Sequence, residues 1–149
     1  GITGVHFPLQ TPGFCFISIN KKHPGEGLTI GREIATSVKI AKIAIVVDDD
    51  VNIHNRGEVM HAVGARWQPF SASEIVEKAG AMGGDPSATA RGEGSRIVVD
   101  ATRQIPEEGG PKIYPTMNRS CLTDACPNIF DVVDEKCSEL IDTWKKGSA

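Results

Sequence analysis

The stretch IAIVVDDDVNIHN, from Ile43 to Asn55, constrains the fold more than any other part of the sequence. Residues 42–47 (KIAIVV) are apolar and β-branched almost throughout, which is typical of a strand covered on both faces, as in a parallel sheet. Asp48, Asp49 and Asp50 follow at once, where sheets of this kind bind ligands. These carboxylates could hold a metal ion, cap a helix, attack a phosphate or face water, and the choice decides most of what the sequence indicates about function.

The segments on either side of this run predict further strands and helices. Phe14–Ile19 and Arg96–Thr102 have the β-branched and aromatic content of strands, as does Gly4–Pro8. Residues 28–40 carry apolar side chains at a helical spacing. Ser73–Ala79 is compatible with either a strand or a short helix, so its state stays open.

Two more helices and one long loop follow from local signals. Asn55 can cap a helix that runs to Arg66, and Glu58 stands three residues later, as a capping box requires. Gly80–Ser95 is rich in Gly, Ala and Ser and predicts a long loop. Residues 128–146 predict a final helix, whose apolar stripe consists of Ile129, Val132, Val133, Leu140, Ile141 and Trp144.

Strands that alternate with helices indicate the α/β class. We expect one three-layer α/β/α domain with a mostly parallel sheet and a projecting C-terminal helix. Residues 1–120 would form the α/β core. Residues 121–149 would form the C-terminal helix and serve in oligomerisation or docking, because a stretch rich in Pro and Gly separates them from the core.

Composition excludes several function classes. The net charge of −3 and the 5% aromatic content give no footprint for nucleic acid. The longest apolar run is far shorter than the roughly 20 residues of a membrane span, and the first residues lack a signal-peptide pattern. We therefore expect a soluble, cytoplasmic protein. Its four cysteines are predicted to be free thiols, since a chain of 149 residues can bury a core without disulfides.

Asp48 and Asp50 raise one catalytic hypothesis, a magnesium-dependent phosphatase. An Asp-x-Asp pair after an apolar strand can hold Mg²⁺ beside a phosphate, and the stretch partly resembles that of the haloacid-dehalogenase phosphatases. Asn52, however, stands where that family has Thr or Val, and no clear Lys and paired-Asp partners follow. The competing interpretation is structural: short acidic side chains end a strand and accept local hydrogen bonds. No other catalytic, cofactor-binding or metal-ligating set is predicted.

Several segments, taken in order, resemble one family. They are GITGVHFP, SINKKHPGEG, KIAIVVDDDVNIHNRGEVMHAVGARWQP and RIVVDATR. Together they resemble the C-terminal domain of the UbiD-type decarboxylases and carboxylases. The resemblance implies that the acidic run is architectural, with Asp50 and Asn52 forming the turn that leads to Asn55. His61 and Ala65 depart from the family pattern, which implies an altered pocket lining.

The resemblance also implies a function for the whole assembly. This chain would close over a prenylated-flavin site and line the pocket of an aromatic or unsaturated acid. The prenylated FMN, a divalent metal and potassium are expected in a flavin-binding domain or subunit, so the chain alone, a fragment or a small subunit, is not expected to be active. The implied pocket-lining residues are Ile2, Val63, Ala65, Arg66, Trp67, Met82 and Pro86.

Two alternatives stay open beside this function: a non-catalytic binding or assembly module, and the magnesium-dependent phosphatase. Whether the chain is part of a UbiD-type enzyme or a binding module, we expect it to self-associate through the C-terminal helix. Its apolar stripe needs a surface to cover it, and Trp144 is a suitable anchor.

Overall fold

The computed structural model describes residues 1–89, 91–112 and 128–139, without the side chains of residues 130 and 134. The chain divides into two compact units, Gly1–Lys112 and Ile113–Ala149. In the first unit the strands are β1 (Ile2–His6), β2 (Phe14–Ile19), β3 (Ile43–Asp48), β4 (Ser73–Gly80) and β5 (Glu93–Asp100). Its helices are α1 (Glu26–Ser37) and α2 (Arg56–Arg66), and a 3-10 turn follows at Pro106–Glu108. The second unit contributes α3 (Ile129–Lys136).

The five described strands form one mixed sheet in the order β1-β2-β3-β5-β4. The three central strands β2, β3 and β5 are parallel, whereas β1 and β4 run antiparallel to their neighbours at the two sides. The α/β class is therefore confirmed, but the parallel pairings are confined to the centre of the sheet. We call the edge where β2, β3 and β5 end the carboxyl edge, and the opposite edge the amino edge.

Helix α1 covers one side of the sheet, here called the α1 face. Its Ala35 packs with the fully buried Ile17, Val46 and Val98 from the three parallel strands. The helix lies close to the sheet because Gly31 has no side chain: a Cβ there would meet a Val98 methyl group at 2.3 Å. Strand β3 is apolar on both faces because it is buried on both, as its sequence predicts.

Helix α2 packs on the opposite side, the α2 face. Val59 and Ala62 of the helix are buried against Phe16, Ile45 and Val99 of the strands. The predicted cap is confirmed: Asn55 Oδ1 accepts hydrogen bonds from the amides of Gly57 and Glu58. The backbone amide of Asn55 itself donates to the carbonyl of Asn52, where a capping box would have it donate to Glu58. The Glu58 carboxylate accepts from the amide of Asn52, three residues before the cap.

Arg96 fixes the end of α1. Its guanidinium, on a residue only 6% exposed, donates to the carbonyl oxygens of Ala35 and Val38 and to that of Gly80. The last carbonyls of a helix have no partner within it. Arg96 therefore satisfies groups that burial would otherwise leave unpaired.

Several predicted elements differ in extent from the structure. Strand β1 lies two residues earlier than the predicted Gly4–Pro8, and α1 is Glu26–Ser37 where residues 28–40 were predicted. The open segment Ser73–Ala79 is a strand, and β5 begins three residues earlier than predicted, so the long loop spans only residues 81–92. The C-terminal helix is described for Ile129–Lys136, and Leu140, Ile141 and Trp144 lie outside the described residues. No helix in the described part of the chain is long and apolar enough to cross a bilayer.

Candidate functional site

The carboxyl edge gathers charged side chains from four segments of the chain. Asp48 ends β3, Asp100 ends β5, Arg66 ends α2, and Lys21 follows β2. The side chains of Arg66 and Lys21 are 2% and 3% exposed. Charges buried this deeply need partners, because an unpaired buried charge costs several kcal/mol.

Arg66 organises the first of two networks at this edge. Its Nη1 donates to Asp48 Oδ2 at 2.8 Å and to Asp50 Oδ1 at 3.0 Å, and its Nη2 donates to Asp50 Oδ2 at 2.9 Å. Arg103 completes the network: its amide donates to Asp48 Oδ2 at 2.7 Å, and its guanidinium donates to Asp50. Two arginines therefore neutralise two aspartates.

The two aspartates respond differently to this environment. Burial raises the pKa of Asp48, although the Arg103 amide and the two guanidinium groups act in the opposite direction. At Asp50 burial also acts to raise the pKa, but the hydrogen bonds and charges of Arg66 and Arg103 outweigh it, so the pKa is lowered. Asp50 is therefore held as a carboxylate by its arginine partners.

This pairing argues against the phosphatase hypothesis. A magnesium ion between Asp48 and Asp50 would have to displace the Arg66 guanidinium, which already bonds to both carboxylates. Within the described residues, no group of three or more His, Cys, Asp and Glu side chains could hold a metal ion. The architectural interpretation fits the contacts better, and Asn52 contributes to the turn by accepting from the amide of His54 at 3.0 Å.

Lys21 organises the second network. Its Nζ donates to Glu108 Oε2 at 2.7 Å, to Thr102 Oγ1 at 3.0 Å and to the carbonyl of Arg103 at 3.2 Å. Glu108 also accepts from the amide of Gly25 at 2.8 Å, at the start of α1. The network thus fastens the segment after β5 to β2 and α1.

A cavity of about 130 Å³ lies beside this second network. Its lining consists of Lys21, Gly25, Leu28, Ser71, Ala72, Asp100, Thr102, Gln104 and Glu108. Burial and the hydrogen bond from Lys21 act in opposite directions on Glu108, and the net effect is a lowered pKa.

The glycines of HPGEG have a structural reason at this edge. Gly25 caps α1 with φ +70°, a left-handed conformation that favours glycine. A Cβ on Gly27 would lie 2.3 Å from the carboxyl group of Asp100, so only glycine lets the helix approach that side chain. Lys21, Asp100, Thr102 and Glu108 were not predicted as a group, although KKHPGEG and DAT contain the first three of them.

The predicted pocket-lining residues occupy several environments. Ile2 is 51% exposed and pairs with Ile19 at the carboxyl edge. Val63 and Trp67 pack against the buried cluster of the α2 face, and Trp67 Nε1 donates to Ser73 Oγ at 3.0 Å. Ala65 is exposed.

Arg66 is the central member of the first network, so its guanidinium is engaged with Asp48 and Asp50. It lies near the carboxyl edge, and its contacts there are those of a structural residue; a place for it in a pocket wall stays a prediction.

Met82 and Pro86 lie at the other end of the sheet. They follow Gly80, which pairs with Glu93 beyond the start of the parallel strands. Lys42, just before β3, bonds to Asp85 in the same loop at 2.9 Å. Met82 and Pro86 are therefore at the amino edge and do not share a pocket with Ile2 inside this unit.

Phe70 is a candidate that the sequence interpretation missed. Its side chain is fully exposed to solvent, which is unusual for a large aromatic residue. It belongs to the carboxyl edge because nearby Ala72 accepts a hydrogen bond from the amide of Asp100. The signal in the sequence was an aromatic residue placed after proline in the polar stretch QPFSAS.

Comparison with known proteins identifies the family that this fold and edge define. Residues 1–101 match the family described as the 3-octaprenyl-4-hydroxybenzoate carboxy-lyase C-terminal domain. The match covers more than half of the chain, so the chain belongs to this family, that of the UbiD C-terminal domain. The resemblance drawn from its sequence segments is confirmed.

Two relatives with named activities are decarboxylases. The phenolic acid decarboxylase of Sedimentibacter hydroxybenzoicus is 36% identical over 101 residues, which are 68% of this chain and 20% of that protein. An open form of the vanillic acid decarboxylase from the same organism superposes with a TM-score of 0.64 at 26% identity, covering 87% of this chain and 26% of that one.

A second solved structure is the UbiD-class enzyme HmfF of Pelotomaculum thermopropionicum in complex with FMN. It has a TM-score of 0.53 at 31% identity, covering 70% of this chain and 24% of that one. The chain spans between 20% and 27% of the length of the curated relatives that it matches.

Proposed function

We propose that this chain acts as the C-terminal domain or small subunit of a UbiD-type decarboxylase or carboxylase, with its carboxyl edge facing a prenylated-flavin site. The observation that carries the proposal is the family match. Two exposed apolar side chains at that edge support it from opposite ends of the strand order: Ile2 on β1 and Phe70 just before β4. Exposed large apolar groups at a ligand-binding edge suit the wall of a pocket for an aromatic or unsaturated acid.

The charged networks support this role by making the edge rigid. Arg66 links the end of α2 to the end of β3 by hydrogen bonds to Asp48 and Asp50. Lys21, after β2, links to Thr102 and Glu108 in the segment that follows β5. A wall that excludes water must hold its shape when the site closes, since decarboxylation on a flavin benefits from a dry, oriented substrate. The chain would contribute apolar surface and positioning, and no proton transfer.

We place neither a flavin nor a metal ion on the described residues of this chain. Each carboxylate of the two networks is paired with an arginine or lysine, and the glycine-containing loop of residues 81–92 is fastened by Lys42. FMN is bound by the neighbour HmfF. We accordingly assign the prenylated FMN, its divalent metal and potassium to a flavin-bearing domain or subunit.

The test is to express the protein from its natural gene together with any subunit that co-purifies with it, and to measure bound flavin and release of CO₂ from aromatic and unsaturated acids, vanillic acid among them. The expected result is flavin absorbance that co-purifies with turnover of at least one acid. Flavin-free protein without turnover, after expression with a prenyl-flavin supply, would overturn the proposal.

We also propose that α3 supports self-association. The apolar stripe of α3 is incompletely buried: Val133 is 43% exposed, and Ile129 and Val132 are partly buried. An apolar helix stripe needs a partner surface. Light scattering should show an oligomer that Val133→Asp shifts toward monomer. An unchanged molar mass would assign the stripe to packing within one chain.

A further inference from the structure

The α2 face of the sheet is only half covered by its own helix. The row of side chains nearer the carboxyl edge is buried beneath α2. It consists of Phe16, Ile45 and Val99, which are 1%, 3% and 6% exposed. The next row toward the amino edge consists of Phe14, Ile43, Ile97 and Ile75, which are cross-strand partners from β2 through β3 and β5 to β4. We call these four residues the open row.

The open row is in register and apolar throughout, yet it is incompletely buried. Phe14, Ile43 and Ile97 are partly buried beside the core of the α2 face. Ile75, at the outer strand, is 65% exposed. Residues directly opposite each other on neighbouring strands point to the same face, so the four side chains form one continuous apolar strip.

The edge of β4 disfavours pairing with another strand. Its register is interrupted between Val76 and Ala79, and Lys78 has φ +51°. Such a bulge twists an edge strand and breaks the ladder that a partner strand would need. A partner of the open row must therefore approach the face of the sheet with its side chains.

The comparisons supply a candidate for that partner. The chain covers only 26% of the vanillic acid decarboxylase chain to which it is similar, so about three quarters of that chain is additional protein. Exposed contiguous apolar surface marks interaction sites, and an interface between domains buries about 600–1,500 Å². We propose that the open row is the docking surface for the flavin-bearing portion of the enzyme, an inference that rests on the proposed function and adds a second contact to it.

Cysteine labelling in the enzyme expressed from its natural gene tests this docking. Ile75→Cys places a thiol in the open row, and Leu9→Cys is the matched control, because Leu9 is 93% exposed in the turn between β1 and β2. Each labelling rate with a maleimide is read by mass spectrometry of the peptide that carries the new cysteine. It is normalised to the rate in guanidinium chloride.

The expected result is labelling of Cys at position 75 at least tenfold slower than at position 9, with flavin bound in both variants. Equal rates with flavin bound would overturn the docking surface while leaving the proposed function standing. Protein without flavin or turnover would overturn both. Protection at position 75 that is lost on dilution, as a homo-oligomer dissociates with flavin retained, would assign the row to a second copy and overturn the proposal.

Discussion

The two edges of the sheet hold their ion pairs in different ways. At the carboxyl edge, the side chains of Arg66 and Lys21 are 2% and 3% exposed and each bonds to more than one group. At the amino edge, Lys42 is 39% exposed and bonds to Asp85 and Ser87 of a single loop. The carboxyl edge is therefore built into the core, whereas the amino-edge pair fastens a surface loop.

Removal of Arg66 should give the largest effect. Arg66→Met leaves Asp48 buried beside an apolar side chain, and breaking a buried pair from one side costs about 3–5 kcal/mol. Urea unfolding measures the change. The double variant Arg66→Met with Asp48→Asn should recover part of the loss, and a loss below about 1 kcal/mol in the single variant would contradict the buried network.

Lys21→Met should rank second. It removes three donated hydrogen bonds, one of them to the half-buried Glu108, and we expect a loss of about 2 kcal/mol in the free energy of unfolding.

The pH dependence gives Lys21 a further readout. Because the pKa of Glu108 is lowered in the folded protein, its stabilisation is present above the ordinary value of 4.5 and is lost as pH falls below it. Lys21→Met should flatten this acid-dependent loss. An unchanged pH profile would show that the pair does not act as described.

Gly27→Ala tests the close approach of α1 to the carboxyl edge. The new methyl group would lie 2.3 Å from the Asp100 carboxyl group, and we expect the displacement to cost about 1–3 kcal/mol. Gly64→Ala is the control, since a Cβ there meets nothing within 4 Å. Equal stability of the two variants would contradict the approach.

Lys42→Met should give the smallest change in stability, because the Lys42 side chain is 39% exposed and water screens its side of the pair. Its clearest effect should be on Asp85, whose pKa is lowered to about 2, first by the hydrogen bond from Lys42 and then by Ser87. NMR titration should show this pKa rising toward the ordinary 3.8. A pKa that stays near 2 would assign the shift to Ser87 alone.

The sequence predicted what local chemistry decides. The β-branched run of β3 and the cap at Asn55 are signals within a few residues, and both elements formed as predicted. The partners of the acidic run could not be predicted, because Arg66 and the Arg103 amide lie 18 and 55 residues from Asp48. The position of Met82 at the amino edge could not be predicted either. It follows from the antiparallel pairing of β4 with β5, which no local sequence pattern specifies.

The central claim is that the carboxyl edge faces the flavin site, and one measurement tests it most directly. Phe70→Ala and Leu9→Ala are compared in the flavin-containing enzyme by kcat/KM for its preferred acid. Phe70→Ala should lower kcat/KM about tenfold, a loss of roughly 1.4 kcal/mol, with flavin content unchanged and Leu9→Ala within about twofold of the wild type. If Phe70→Ala matches the wild type, or if Leu9→Ala shows the larger loss, the carboxyl edge does not line the site.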